Sequence, residues 1–269
     1  MTPLFIAELI ALGVFSGFLA GLLGIGGGMV MVPILTFLLS GIIADPGVAV
    51  KVAIATSMAV IVFTSASSVR AHHKRGAVRW DIVRKLAPGI VVGSFIASMG
   101  IFGLLKGKYL AIFFGIFVAF SATQMFLNKK PKPSRDMPGT GGQLVAGGII
   151  GMLSGLVGAG GGFISVPFMT WCNVAMHAAV ATSAALGFPI AIANVIGYVV
   201  SGTSVQGLPP HSFGFLWLPA LALIAVASVC TAPIGAKAAH SLPVPHLKRI
   251  FAGLLYVLSL YMLWKGFAG

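Results

Sequence analysis

The sequence predicts an all-α polytopic membrane protein of two inverted repeats, with eight to ten membrane segments and helices that are broken or re-entrant at glycine. Three observations lead there. The composition is too apolar for a water-facing surface, one glycine-rich motif occurs twice in the same order, and corresponding loops of the two copies carry opposite charge bias.

Of 269 residues, 58% are hydrophobic and 8% charged, whereas soluble domains carry about 25% charged residues. Runs of about 20 apolar residues cross the hydrocarbon layer as helices, and the alternation expected of membrane strands is absent. The apolar segments fall at 4–23, 28–43, 47–69, 82–104 and 109–127, then at 143–158, 162–174, 177–200, 213–236 and 249–267. Residues 1–127 are thus read as a first transmembrane repeat, 128–141 as a cytoplasmic linker and 142–269 as a second repeat. The opening MTPLFIAELI has no basic region and its apolar run outlasts a signal peptide, so this segment is expected to be retained.

The net charge of +13 does not point to nucleic acid. Most basic residues sit between apolar runs, at Arg70–Lys85 and Lys129–Arg135, which is how cytoplasmic loops are marked. Cys172 and Cys230 lie within apolar segments and form no metal or redox spacing. Paired carboxylates, a nucleophile–base pair and a metal cluster are missing from the pattern, so neither an enzyme nor a cofactor is expected.

The repeat is read directly. Gly13–Pro33 (GVFSGFLAGLLGIGGGMVMVP) aligns without gaps on Gly147–Pro167 (GGIIGMLSGLVGAGGGFISVP), with 11 of 21 columns identical. Further on, AIATS at Ala53–Ser57 matches AVATS at Ala179–Ser183, and Pro88 faces Pro219. The loop Arg70–Arg79 is strongly basic while its counterpart Ser201–Ser212 has no Lys or Arg, and Lys237–Arg249 is basic again. Placing the basic loops inside makes the halves inverted; Lys106 and Lys108 are the exception and fall outside. Inverted repeats are a transporter architecture.

The sharpest local signal is the pair of glycine knots, Gly24, Gly26, Gly27 and Gly28, and Gly158, Gly160, Gly161 and Gly162, each followed at one spacing by Pro33 or Pro167. Each glycine costs about 1 kcal/mol relative to Ala inside a helix, so the helix is expected to break there and restart near Met29 and Phe163. Broken backbone survives in a membrane where it lines a cavity or is buried in protein. A restarted helix offers free amides and the positive end of its dipole to an anion. The other reading is close helix packing, to which Gly13, Gly17 and Gly21 are assigned. Paired interruptions in a repeat favour a binding site.

Thr56, Ser57, Thr182 and Ser183 recur inside the third segments, where their hydroxyls either donate to an oxyanion or bond back to their own helix. Asn194 and Tyr198, four apart on one helix face, either line the path or bond between helices; by register their counterparts are Ser68 and His72. His177 aligns with Lys51, and Glu8 is the one acid well inside an apolar run.

The doubled G-L-x-G-x-GGG-x4-P knot and the repeated A-x-ATS resemble the sulfite exporter TauE/SafE family of bacterial membrane permeases over residues 10–265. The resemblance implies a multi-pass protein of the bacterial inner membrane that exports sulfite, sulfoacetate or related organosulfur anions. It carries a binding role onto the glycines of both knots and onto Thr56, Ser57, Thr182 and Ser183. The expected partners are a small anionic solute and the lipid bilayer, with monomer and homodimer both open. A metal ion, a neutral metabolite, or a non-transporting scaffold are the alternatives.

Overall fold

The computed structural model describes residues 2–23, 27–127, 135–238 and 244–268. Ten helices follow in order: α1 Pro3–Leu23, α2 Gly28–Leu39, α3 Pro46–His73, α4 Trp80–Leu104, α5 Gly107–Leu127, α6 Thr140–Val157, α7 Gly162–Trp171, α8 Met176–Gly202, α9 Leu218–Ala238 and α10 Val244–Ala268. Eight of the described helices are long and apolar enough to cross a bilayer. The other two, α2 and α7, have 12 and 10 residues. At about 1.5 Å per residue they reach little more than halfway through a hydrocarbon core of about 30 Å. Those segments, expected as half-helices or re-entrant arms, do not span.

Two local features depart from the sequence reading. The segment expected as helix from residue 213 opens instead with a hairpin pairing β1 (Ser212–Phe213) to β2 (Leu216–Trp217), and α9 starts only at Leu218. Gly214, at φ 57°, makes the turn. Within α4, the turn Ile96–Ile101 is widened to π geometry. There Ser201 Oγ donates to the Ser98 carbonyl at 3.0 Å, which binds α8 to the widened turn.

Glycine sets the packing. On α1, Gly13 and Gly17 let the backbone of α9 approach at Ile224 and Ser228, and Gly235 of α9 admits Phe18 and Leu22. In the second half Gly147 and Gly151 do the same for α6 against Leu86 and Ile90 of α4. The packing role expected of Gly13 and Gly17 is therefore seen, and their repeat equivalents share it. In both pairs the residue numbers rise together, so α1 runs parallel to α9 and α6 parallel to α4.

The long helices α3 and α8 pack on each other at the centre. The start of α3 and the end of α8 both lie at the α4–α5 junction. Lys51 Nζ donates to the Gly103 carbonyl at 3.1 Å, and a Cβ at Gly103 would stand 3.4 Å from Ser201 Cβ. These two corresponding helices thus run in opposite directions. Large apolar side chains such as Leu104, Ile116, Phe120, Val226, Val257 and Leu260 are exposed on the outer helices, as befits a surface not made for water.

Candidate functional site

The helix breaks occur at the knots. Gly27 and Gly161, which align in the repeat, precede α2 and α7 with φ of 70° and 74°. A left-handed residue reverses the chain at the helix start, and a side chain there would be strained. Their carbonyls accept the first helical bonds, from Met31 N at 3.1 Å and from Ser165 N at 2.9 Å. The amides of the first turns, at Gly28, Met29, Gly162 and Phe163, have no acceptor within their own helix and form its positive end. Gly24 and Gly26 lie outside the described residues.

The two breaks meet. A Cβ at Gly28 would fall on the Gly158 carbonyl oxygen and 2.9 Å from Ala159 Cα. No side chain fits between the start of α2 and the end of α6, so the first knot is pressed against the second. Beyond this contact, Gly160 reaches a cavity of ≈ 20 Å³ between α3 and α8. Its lining includes Ile61, Thr64, Ser65, Ser68, Ser183 and Gly187. That is room for about one water.

The lining is uncharged, with four hydroxyl side chains set among small apolar groups such as Ala20 and Ala184. Ser183 Oγ accepts from Ser165 Oγ at 2.8 Å, which leaves its own proton for a further acceptor. Ser68 Oγ is buried with no protein partner among the described residues. Thr64 and Ser65 donate back to the carbonyls of Val60 (3.2 Å) and Val62 (3.2 Å). The hydroxyls of Ser183 and Ser68, without a competing carboxylate in the lining, suit an oxyanion better than a cation.

Of the residues the sequence singled out for binding, Gly160 and Ser183 line this cavity. Thr56 and Thr182 do something else in matching ways. Thr56 Oγ1 accepts the backbone amide of Trp217, and Thr182 Oγ1 that of Arg79, each at 3.0 Å. Trp217 and Arg79 are the residues just before α9 and α4. Each threonine therefore holds the start of the fourth helix of the opposite half. Ser57 bonds back to the Ala53 carbonyl at 2.7 Å.

Asn194 and Tyr198 are fully buried on α8. Asn194 Nδ2 donates to the Ile190 carbonyl at 2.8 Å, while the Tyr198 hydroxyl donates to the Gly155 carbonyl of α6. The Tyr198 ring packs on Phe102, with centroids 4.4 Å apart. Tyr198 thus ties α8 to α6, Asn194 Nδ2 bonds within its own helix while its Oδ1 has no partner among the described residues, and neither lines the cavity. Thr64, Ser65 and Ser68 carry a signal that was there to be read: Ser57, Ile61, Thr64 and Ser68 follow one another at helical spacing along a single face. At the turn between α3 and α4, Arg79 makes a bidentate pair with Asp81, at 2.9 and 2.8 Å.

Comparison with known proteins adds a class. The family described as "Sulfite exporter TauE/SafE" matches residues 9–262. A probable membrane transporter protein of Haemophilus influenzae is 38% identical over 262 residues, covering 97% of this chain and 99% of its own length. A probable membrane transporter protein of Methanocaldococcus jannaschii is 28% identical, covering 95% and 94%. Another, from Bacillus subtilis, is 29% identical, covering 80% and 82%. No solved structure gives a significant match.

Proposed function

We propose, from the premise that the chain belongs to the sulfite exporter TauE/SafE family and is a multi-pass membrane transporter, that it carries a small sulfur-containing oxyanion such as sulfite or an organosulfonate. Transport is secondary, outward across a bacterial inner membrane, and works by alternating access between two inverted halves. The observation that carries this reading is the contact of two broken helices, Gly28 against Gly158, beside a hydroxyl-lined cavity bounded by Gly160 and Ser183.

The physics favours an anion at this place. Two half-length helices start at the knots, so their partial positive charges face the protein centre. Buried hydroxyls supply the directional donors, and a neutral lining releases its cargo more readily than a buried arginine would. The same dipoles repel a metal ion, which sets that alternative behind.

The cavity in this conformation holds about one water, so cargo passes only when the halves shift. The glycine contacts of α1 on α9 and of α6 on α4 make two tight packing units. Each unit combines helices from both halves, and relative motion of the units about the α3–α8 crossing opens the cavity to one face or the other. Repeat-related units rocking about a midplane site are how such folds alternate access.

Proteoliposomes loaded with labelled sulfite, sulfoacetate or thiosulfate test the assignment. The wild-type protein is expected to move at least one of them, and Gly27→Val and Gly161→Val to abolish the flux. Valine variants that transport like the wild type remove the knots from the site. A protein that moves none of the three removes the cargo class.

A further inference from the structure

A second cavity lies at the far end of the molecule from Arg70–Lys85. It measures ≈ 470 Å³ and is lined by Asp45 and four lysines, Lys51, Lys106, Lys108 and Lys265. Three helices bring these together. Lys51 is in the second turn of α3, Lys106 and Lys108 flank the start of α5, and Lys265 is in the last turn of α10. In the sequence they are scattered over more than 200 positions, and two of them stood out only as misplaced charges.

The pocket is net positive, with four lysines against one carboxylate. The starts of α3 and α5 abut so closely that a Cβ at Gly107 would fall on the Gly47 carbonyl, so two positive helix ends share one wall. The single carboxylate is occupied, since Asp45 Oδ1 accepts from Gly47 N at 2.7 Å and Val48 N at 3.3 Å, capping α3. None of the four lysines has a carboxylate within ion-pair distance among the described residues. Lys51 is held in place: Nζ donates to the Gly103 carbonyl and stands over the rings of Phe102 and Phe215, at 5.7 and 5.4 Å. Four lysines lining one open pocket repel one another, and a shared counter-anion relieves that repulsion.

We propose that this pocket binds a small oxyanion group of the sulfate or phosphate type. Such a group comes either from free solution or from the headgroup of an anionic lipid, because the pocket sits at the membrane surface. The site is separate from the central cavity and stands whether or not a sulfur oxyanion is the cargo.

The test uses the full chain in phosphatidylcholine nanodiscs, with melting followed against added sulfate at ionic strength held constant with chloride. In a second arm, chloride buffer is kept and phosphatidylglycerol is mixed into the disc. Sulfate is expected to raise the melting temperature more than chloride if the free ion is the ligand, and phosphatidylglycerol to do so if the headgroup is.

Lys265→Met should raise the half-saturating amount of the effective ligand about fivefold, as should Lys106→Met with Lys108→Met, a surface pair that leaves the packing intact. Lys51→Arg should retain binding. Lys74→Met and Lys85→Met, which change the net charge at the opposite face, should have no effect. Two results overturn the proposal. One is a response to both ligands no larger than that to chloride, and the other is lysine variants that respond like the wild type.

Discussion

The two halves differ most where they do the same job. In both, a threonine of the third helix accepts the amide before the fourth helix of the other half, at 3.0 Å each time. In both, a left-handed glycine starts a half-length helix. The side chains around these shared points diverge. Ser183 is bonded to Ser165 of α7, but its counterpart Ser57 turns back on its own helix, where the position matching Ser165 is Met31. Asn194 and Tyr198 fill α8 and reach toward α6, whereas the matching positions on α3 are Ser68, at the cavity, and His72. The duplicated backbone supplies the frame and the ties between halves. The specific chemistry lies in what is no longer equal.

That division is open to attack at several places. The largest effect is expected at the contact of the knots. Gly28→Val would force a branched side chain into the Gly158–Ala159 backbone, which has no slack to give, so a loss of about 3 kcal/mol or more is expected, seen as failure to recover monodisperse protein from detergent. Normal yield would show that the knots separate without cost.

The ties come next. Thr56→Val strands a buried amide and should cost about 1–3 kcal/mol in thermal or denaturant unfolding. Thr182→Val should cost less, about 0.5–1.5 kcal/mol, because Arg79 lies at the surface and water can replace the hydroxyl. Equal losses would contradict the burial difference, and Thr→Ser at either position should restore most of the stability. The smallest structural change is expected of the serines. Ser183→Ala should slow flux several-fold with a stability change of about 1 kcal/mol or less, while Ser57→Ala should leave flux within about twofold of wild type, since its hydroxyl serves only its own helix.

Much of the frame was legible because it rests on local physics. Apolar run length gives the crossings, and three consecutive glycines cannot continue a helix in lipid without a reason. Gly13 and Gly17 announced close packing through their four-residue spacing. The amide partners of Thr56 and Thr182 were not legible because a hydroxyl in an apolar segment is equally suited to a ligand or to a distant backbone amide. The amides it meets are 161 and 103 positions away. The hairpin before α9 was missed because Phe213–Trp217 is apolar enough to pass for the start of a helix; Gly214 was its one mark. The lysine pocket could not be read at all. Lys106 and Lys108 look like exceptions to a loop-charge rule until α3, α5 and α10 pack and bring Lys51 and Lys265 beside them.

The central claim, that cargo passes through the cavity where the knots meet, is tested most directly at Gly187. A Cβ there would have its nearest neighbours at 3.4 Å (Ser65 Cβ) and 3.6 Å (Gly160 O), ordinary contacts, while projecting toward a space of ≈ 20 Å³. Gly187→Ala should therefore fold as well as the wild type, or gain up to about 1 kcal/mol from helix propensity. Its sulfite or sulfonate flux in proteoliposomes should fall about tenfold or more, the effect of about 1.4 kcal/mol on the barrier to passage. Wild-type flux through a variant of unimpaired stability would place the path elsewhere.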